Sequence, residues 1–157
     1  MLVFKTFWIT PLMVKIVRRK IKKVFRELLL YHNSSLEYRA KVFTLVIACT
    51  GDMSVCEEQL LQEIACDIYE NDEERSEILV EAVKEYFNKI ITNNGLDFDH
   101  LVFQVEKETK AVNRFSAKID IDTLKRFQAC VKNEDDKIYQ QRVIEYLGRL
   151  KEQYGSV

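Results

Sequence analysis

The sequence predicts an all-α fold, a single-domain helical bundle of about six or seven helices. Three observations predict it. Helix breakers are scarce: the 157 residues include four glycines and one proline, against 47% hydrophobic and 31% charged residues, a composition with few places to stop a helix. Apolar residues recur at helical spacing through most of the chain. Several of these runs open with a serine or asparagine followed three positions later by glutamate, the pattern of a capping box. The length suits one domain with enough residues to bury a core.

The chain divides into an apolar and basic N-terminal segment, residues 1–33, and a helical domain, 34–157. Residues 1–30 hold eight Lys/Arg and one acid, a balance of +7, so a chain total of −1 leaves −8 on the remainder. A basic end on an acidic body suggests a surface-binding end and a soluble body. Residues 1–17 are apolar but interrupted by Lys5 and Lys15. The uncharged run is short of the ~20 residues a spanning helix needs. It is also unlike a cleavable signal peptide, because the basic cluster follows the apolar part. Thr10-Pro11 reads as an N-cap with proline at the first helical position, opening a helix to about Tyr31. Its basic residues are Lys15, Arg18, Arg19, Lys20, Lys22, Lys23 and Arg26, interleaved with Leu12, Ile16, Val17, Ile21, Val24, Phe25, Leu28 and Leu29. Two readings stand: a core-packing helix with a solvated basic face, or a segment on an anionic membrane with Phe7 and Trp8 at the interface.

Ser34 and Glu37 form a capping box at the start of a helix running to about Thr50, with Ala40, Phe43, Val46, Ile47 and Thr50 on one side. Gly51 stops it, since glycine adopts the left-handed conformation without strain. Ser54 and Glu57 make a second box for a helix from Val55 to about Tyr69, whose stripe is Val55, Leu60, Leu61, Ile64, Ala65 and Ile68. Asn71 and Glu74 repeat the pattern for a third, with Ile78, Leu79, Ala82, Val83, Tyr86, Phe87, Ile90 and Ile91 as its apolar face. Asn93-Asn94-Gly95 ends it. Asp97 or Asp99 starts the next, with Leu101, Val102 and Val105 inward. Residues 117–122 alternate like a strand, but a lone strand has no partner, so the expectation is a helix from about Phe115 to Val131. A last helix covers about Lys137–Tyr154, with Val143, Ile144, Leu147 and Leu150 inward. Tyr86, Phe87, Phe103, Phe115 and Phe127 sit at core spacing.

The corner Cys49-Thr50-Gly51-Asp52-Met53-Ser54-Val55-Cys56-Glu57 resembles the signature of the TerB-like helical domain, Ala-Asp-Gly-x-(Ile/Val)-Ser-x-x-Glu. Gly51, Ser54 and Glu57 match. The motif aspartate is replaced by Thr50, and an acid stands one position past the glycine, at Asp52. By helix order over residues 36–152 the chain looks most like the membrane-proximal region of DjlA-type DnaJ co-chaperones. The resemblance implies a short membrane segment followed by a cytoplasmic body, and the order of charges agrees with that orientation. The second corner resembles a degenerate copy, where the family's aspartate and glutamate read Asn133 and Gln140. No His-Pro-Asp tripeptide occurs, Pro11 being the single proline, so the chain lacks a J domain. The expectation is part of a co-chaperone or a stand-alone TerB-like protein.

Asp52 and Glu57 flank one helix start and are the candidate ligands for a divalent metal, which some TerB-like domains bind. Hard cations need several converging oxygens, and acids at a helix N-terminus also serve the dipole, so capping is the competing role. No cofactor is otherwise expected. Cys49, Cys56, Cys66 and Cys130 lack Cys-x-x-Cys spacing, and three of them lie on apolar faces. They read as buried free thiols of a reducing compartment. Cys56, at a helix start, is the one candidate reactive thiol. No nucleophile-elbow, P-loop or His-Glu-x-x-His motif is present, and the acidic body would repel nucleic acid. The expected role is a non-catalytic, cytoplasmic scaffold at the inner face of a membrane that docks a protein partner or self-associates. Its first contact surface is the Asp52/Glu57 corner. Its second is Trp8 with Lys15, Arg18, Arg19, Lys22, Lys23 and Arg26.

Overall fold

Cap chemistry and apolar spacing divide the described residues into seven α-helices and two 3₁₀ segments, with no strand among them. The computed structural model describes residues 11–32 and 34–155, without the side chains of Lys22 and of 25–32. Two compact units result, Met1–Ser34 and Ser35–Val157. The first contains helix α1, Pro11–His32. Val17, Ile21 and Val24 follow one another at i, i+4 and i+7 on it and are exposed, while Lys15, Arg18 and Arg19 occupy the opposite side of the helical wheel. No described helix is long and apolar enough to cross a membrane.

The second unit is built around α2, Ser34–Ala48. Leu36, Tyr38 and every residue from Ala40 to Ala48 are buried. A helix buried all round is a central helix rather than a surface one, so the one-sided stripe expected here is widened to the full circumference. Its buried cation, Lys41, is neutralised: Nζ donates to both Glu108 carboxylate oxygens at 3.1 and 2.9 Å and lies 3.5 Å from Glu37. Tyr38 stacks on Phe115 with ring centroids 4.8 Å apart. Ser34 lies inside α2, and Glu37 binds Lys41 and the Tyr86 hydroxyl in place of the expected capping box.

Helices α3 (Val55–Ile68) and α4 (Glu73–Ile91) pack as a pair beside this core. Asp72, not Asn71, caps α4: its carboxylate accepts from the Arg75 amide at 3.1 Å. Asn71 instead takes a left-handed φ of 64°, which asparagine tolerates better than most residues. Asn93, also left-handed, closes α4. The Asn94 amide reaches the Lys89 carbonyl and the Asn93 amide reaches the Ile90 carbonyl, the two bonds of a Schellman ending. Asp97 caps α5 (Phe98–Ala111) through the His100 amide at 2.7 Å.

The single helix expected over 115–131 is replaced by a 3₁₀ turn (Asn113–Lys118), a short α6 (Ile121–Lys125) and a second 3₁₀ turn (Arg126–Cys130). The break has a local cause. Asp120 is extended and caps α6, accepting from the Thr123 hydroxyl at 2.8 Å and from its amide at 3.3 Å. Lys151 takes the Ile119 carbonyl at 2.7 Å, so that carbonyl is satisfied outside any helix. Ile119, Leu124, Phe127 and Val131 still point inward. Helix α7 starts at Glu134, earlier than expected, because the Asn133 side chain accepts from the Asp136 amide at 3.1 Å. It then runs to Gly155 and buries Gln140, Ile144, Leu147 and Leu150. Of the aromatics expected in the core, Phe115 and Phe127 are buried, Tyr86 and Phe87 are half-buried, and Phe103 is 60% exposed.

Candidate functional site

The first corner forms as its residues dictate. Gly51 takes φ +79°, and a Cβ added there would meet nothing within 4 Å. Substitution would therefore be opposed by backbone conformation alone. The capping box is complete: the Ser54 hydroxyl accepts from the Glu57 amide at 3.2 Å, and Glu57 Oε1 accepts from the Ser54 amide at 3.3 Å and its hydroxyl at 3.1 Å. Asp52 is exposed, whereas Glu57 is 3% exposed, and its Oε2 has no hydrogen-bond partner. Burial pushes the Glu57 carboxyl above the usual range. Hydrogen bonds from Ser54 oppose the shift, and the nearby Asp52 charge adds to it.

The second corner meets the first at the end of α2. Gln140, fully buried, donates through Nε2 to the Val46 carbonyl at 3.0 Å, leaving its Oε1 without a partner. The same carbonyl accepts from the Cys49 thiol at 3.1 Å. Burial, then the Glu57 and Asp136 charges, push that thiol up to about 12, so it remains a neutral donor at physiological pH. The neutral amide at 140 fits this arrangement, since a carboxylate there could not donate to Val46.

Neither corner fits a resident divalent cation. Among the described residues no three His, Cys, Asp or Glu side chains converge on a common point. Asp52 points to solvent, and Glu57 Oε1 is committed to the box. Several oxygens at ~2.0–2.6 Å would be required.

Replacing Glu57 by glutamine tests the corner. Glutamine keeps the Oε1 acceptor and turns the orphan oxygen into a donor. A carboxyl whose folded pKa is raised favours the fold when protonated. That contribution is fully present below its unfolded value, about 4.3, and is lost as pH rises through the raised one. Glu57→Gln is therefore expected to exceed the parent in stability at pH 7 by ~1 kcal/mol. The gap should close as urea titrations are taken toward pH 4.

The cysteines depart from expectation. Cys56 and Cys130 form a disulfide with Cα atoms 5.6 Å apart, tying the first turn of α3 to the second 3₁₀ turn. Cys56 is thus no free nucleophile. Arg126 reinforces the tie by approaching Glu63 at 3.4 Å and Asp67 at 4.0 Å. Cys66, expected to be buried, is exposed and accepts from the Ser76 hydroxyl, and Cys49 is half-buried.

Beside the first corner lies a cleft of about 490 Å³, bounded by Ala48–Gly51, by Asp97, Phe98 and Asp99 at the start of α5, and by Tyr139 of α7. Phe98 and Tyr139 face each other with centroids 6.5 Å apart. Three distant segments meet here, so no short-range pattern signals it. On α1, Lys15, Arg18, Arg19 and Lys23 are exposed. Lys22 and Arg26 lie on the same helix with side chains outside the described set, and Trp8 lies outside the described residues.

No family model, curated protein or solved structure matches the chain. The likeness to TerB-like domains therefore rests on Gly51, Ser54, Glu57 and the order of helices.

Proposed function

We propose that this protein is a non-catalytic helical interaction module of TerB/DjlA-like character. It works at the cytoplasmic face of an anionic membrane, in a co-chaperone or stress-response setting, holding a protein partner or a second copy of itself. The observation that carries the proposal is the division of charge: a 22-residue cationic amphipathic helix joined to a bundle whose sequence is strongly acidic. Such a helix lies in the head-group plane, with apolar side chains in the acyl boundary and cations against lipid phosphates.

Co-sedimentation tests it. The full chain is expected to pellet with vesicles containing phosphatidylglycerol at low salt and to be released as salt rises. Replacing Lys15, Arg18, Arg19 and Lys23 by glutamine should abolish pelleting, and failure of the parent chain to pellet would remove the membrane part of the proposal.

The rival, a metal-responsive stress protein using Asp52 and Glu57, is favoured only by the orphan Glu57 oxygen. Melting curves with calcium, magnesium, zinc and EDTA are expected to coincide. A shift of several degrees specific to one metal, and absent from Asp52→Asn, would reverse the order of the two readings. The compartment is decided by thiol trapping before lysis. The Cys56–Cys130 bond of this structure speaks for an oxidising space, so a pair found reduced in the cell supports the cytoplasmic face and a pair found oxidised removes that part of the proposal.

A further inference from the structure

We infer that the cleft between the end of α2, the start of α5 and α7 receives an arginine side chain from a basic segment of the partner protein. The inference rests on the reading of the bundle as an interaction module and names the chemistry of its partner.

Four features of the cleft agree. Its lining includes Asp97 and Asp99 and no Lys or Arg. Asp97 uses Oδ1 to cap α5, while Asp99 is exposed and makes no hydrogen bond or ion pair among the described residues. The C-terminal end of α2 forms another part of the wall, and a helix C-terminus carries partial negative charge that favours a cation. Asp136, at the start of α7, lies close enough to raise the Cys49 thiol on that wall. The cleft thus carries negative charge at the start of α5 and at the end of α2, with the Asp136 carboxylate near its Cys49 wall.

The α5 and α7 walls also contribute aromatic rings. Phe98 is half-buried and Tyr139 is 47% exposed, with their rings inclined at 39°. A guanidinium is planar, weakly hydrated and stacks on aromatic faces while its edge donates to carboxylates, which a compact ammonium does less well. The volume is that of a small binding site and accommodates a side chain rather than a folded element. At Gly51 the backbone is bare, with open space where a Cβ would stand.

Fluorescence anisotropy with a fluorescein-labelled hexapeptide of alternating glycine and arginine tests the proposal, with the full-length chain as receptor. The arginine peptide is expected to bind more tightly than its lysine counterpart, and a glycine–glutamate peptide not at all. The double substitution Asp99→Asn with Tyr139→Ala should weaken binding about tenfold. Glu74→Gln, which removes an acidic charge at the start of α4, should leave it within twofold of the parent. Equal loss in both variants would show general attraction to an acidic surface and overturn the proposal, as would no binding by the parent or equal binding of lysine and arginine peptides. Both side chains are exposed, and a melting curve of the double variant that matches the parent confirms its fold. Vesicle pelleting by the double variant should match the parent. Failure of the parent to pellet strikes the membrane part of the proposed function, whereas loss of arginine binding with pelleting intact strikes this inference alone.

Discussion

Opening the Cys56–Cys130 disulfide is expected to lower the stability of the bundle by about 2–4 kcal/mol. The two cysteines are 74 residues apart in sequence, so the crosslink removes a large loop from the unfolded ensemble. The chain-entropy relation places its upper effect at about 4.5 kcal/mol for such a loop. The native state should keep its helices without the bond. Phe127 is fully buried against the core, 6.1 Å from Phe43 between ring centroids, and Arg126 remains beside Glu63 and Asp67. The expected result is a clear drop in urea midpoint on adding dithiothreitol, reproduced by Cys56→Ser/Cys130→Ser and absent when reductant is added to that double variant. A midpoint insensitive to reductant and substitution alike would mean the crosslink does not stabilise the fold.

Truncating Tyr38 should cost as much. Its ring is fully buried in the most enclosed helix and stacks on Phe115. Its hydroxyl lies 2.6 Å from Thr109 Oγ1, while that threonine gives its own proton to the Val105 carbonyl at 2.6 Å. The tyrosine is therefore the donor. Tyr38→Ala removes the ring and the bond together and is expected to cost about 3–5 kcal/mol. Tyr38→Phe removes one buried hydrogen bond, leaves Thr109 satisfied as a donor, and should cost about 1 kcal/mol. Burial pushes the phenol up to about 12. Because the protonated form favours the fold, its contribution is present below the unfolded value of about 10 and lost as pH rises through the folded one. The difference between Tyr38→Phe and the parent should therefore shrink above pH 10, as followed by urea titration at pH 7, 10 and 11.

The helices were legible because their signals are local. Gly51, the Ser54–Glu57 box, Asp97 and the stripes of α4 and α7 each act within one or two turns, and each is found where its spacing places it except Ile91 at the end of the α4 stripe, which is exposed. Local patterns mislead where two of them compete or where the deciding partner is distant. Asn71 and Asp72 are both capable caps, and the left-handed φ of Asn71 gives the role to its neighbour. The alternation over residues 117–122 is strand-like but is read as part of a helix for want of a partner strand. It is instead a break, fixed by Lys151 reaching back to Ile119 across 32 residues. Full burial of α2 follows from packing on all sides, which a one-sided stripe does not reveal.

The candidate sites divide in the same way. Glu57 was found from its capping pattern, but Gln140 gains its meaning only when α7 brings it to Val46. The disulfide joins cysteines far apart in sequence, neither with a short-range pattern to pair them. The cleft gathers residues from the end of α2, the start of α5 and α7; local patterns mark Cys49, Thr50 and Gly51 as a corner and Asp97 and Asp99 as helix starts, but nothing local joins them to one another or to Phe98 and Tyr139.

Trp8 offers the most direct measurement of the membrane role, because it is the only tryptophan in the chain and stands just before the cationic helix. Its emission, recorded on the full chain as phosphatidylglycerol vesicles are added, should shift to the blue at low salt and shift less as salt is raised or when Lys15, Arg18, Arg19 and Lys23 are replaced by glutamine. An emission maximum that stays in place through the whole lipid titration would contradict the assignment of this end of the protein to a membrane surface.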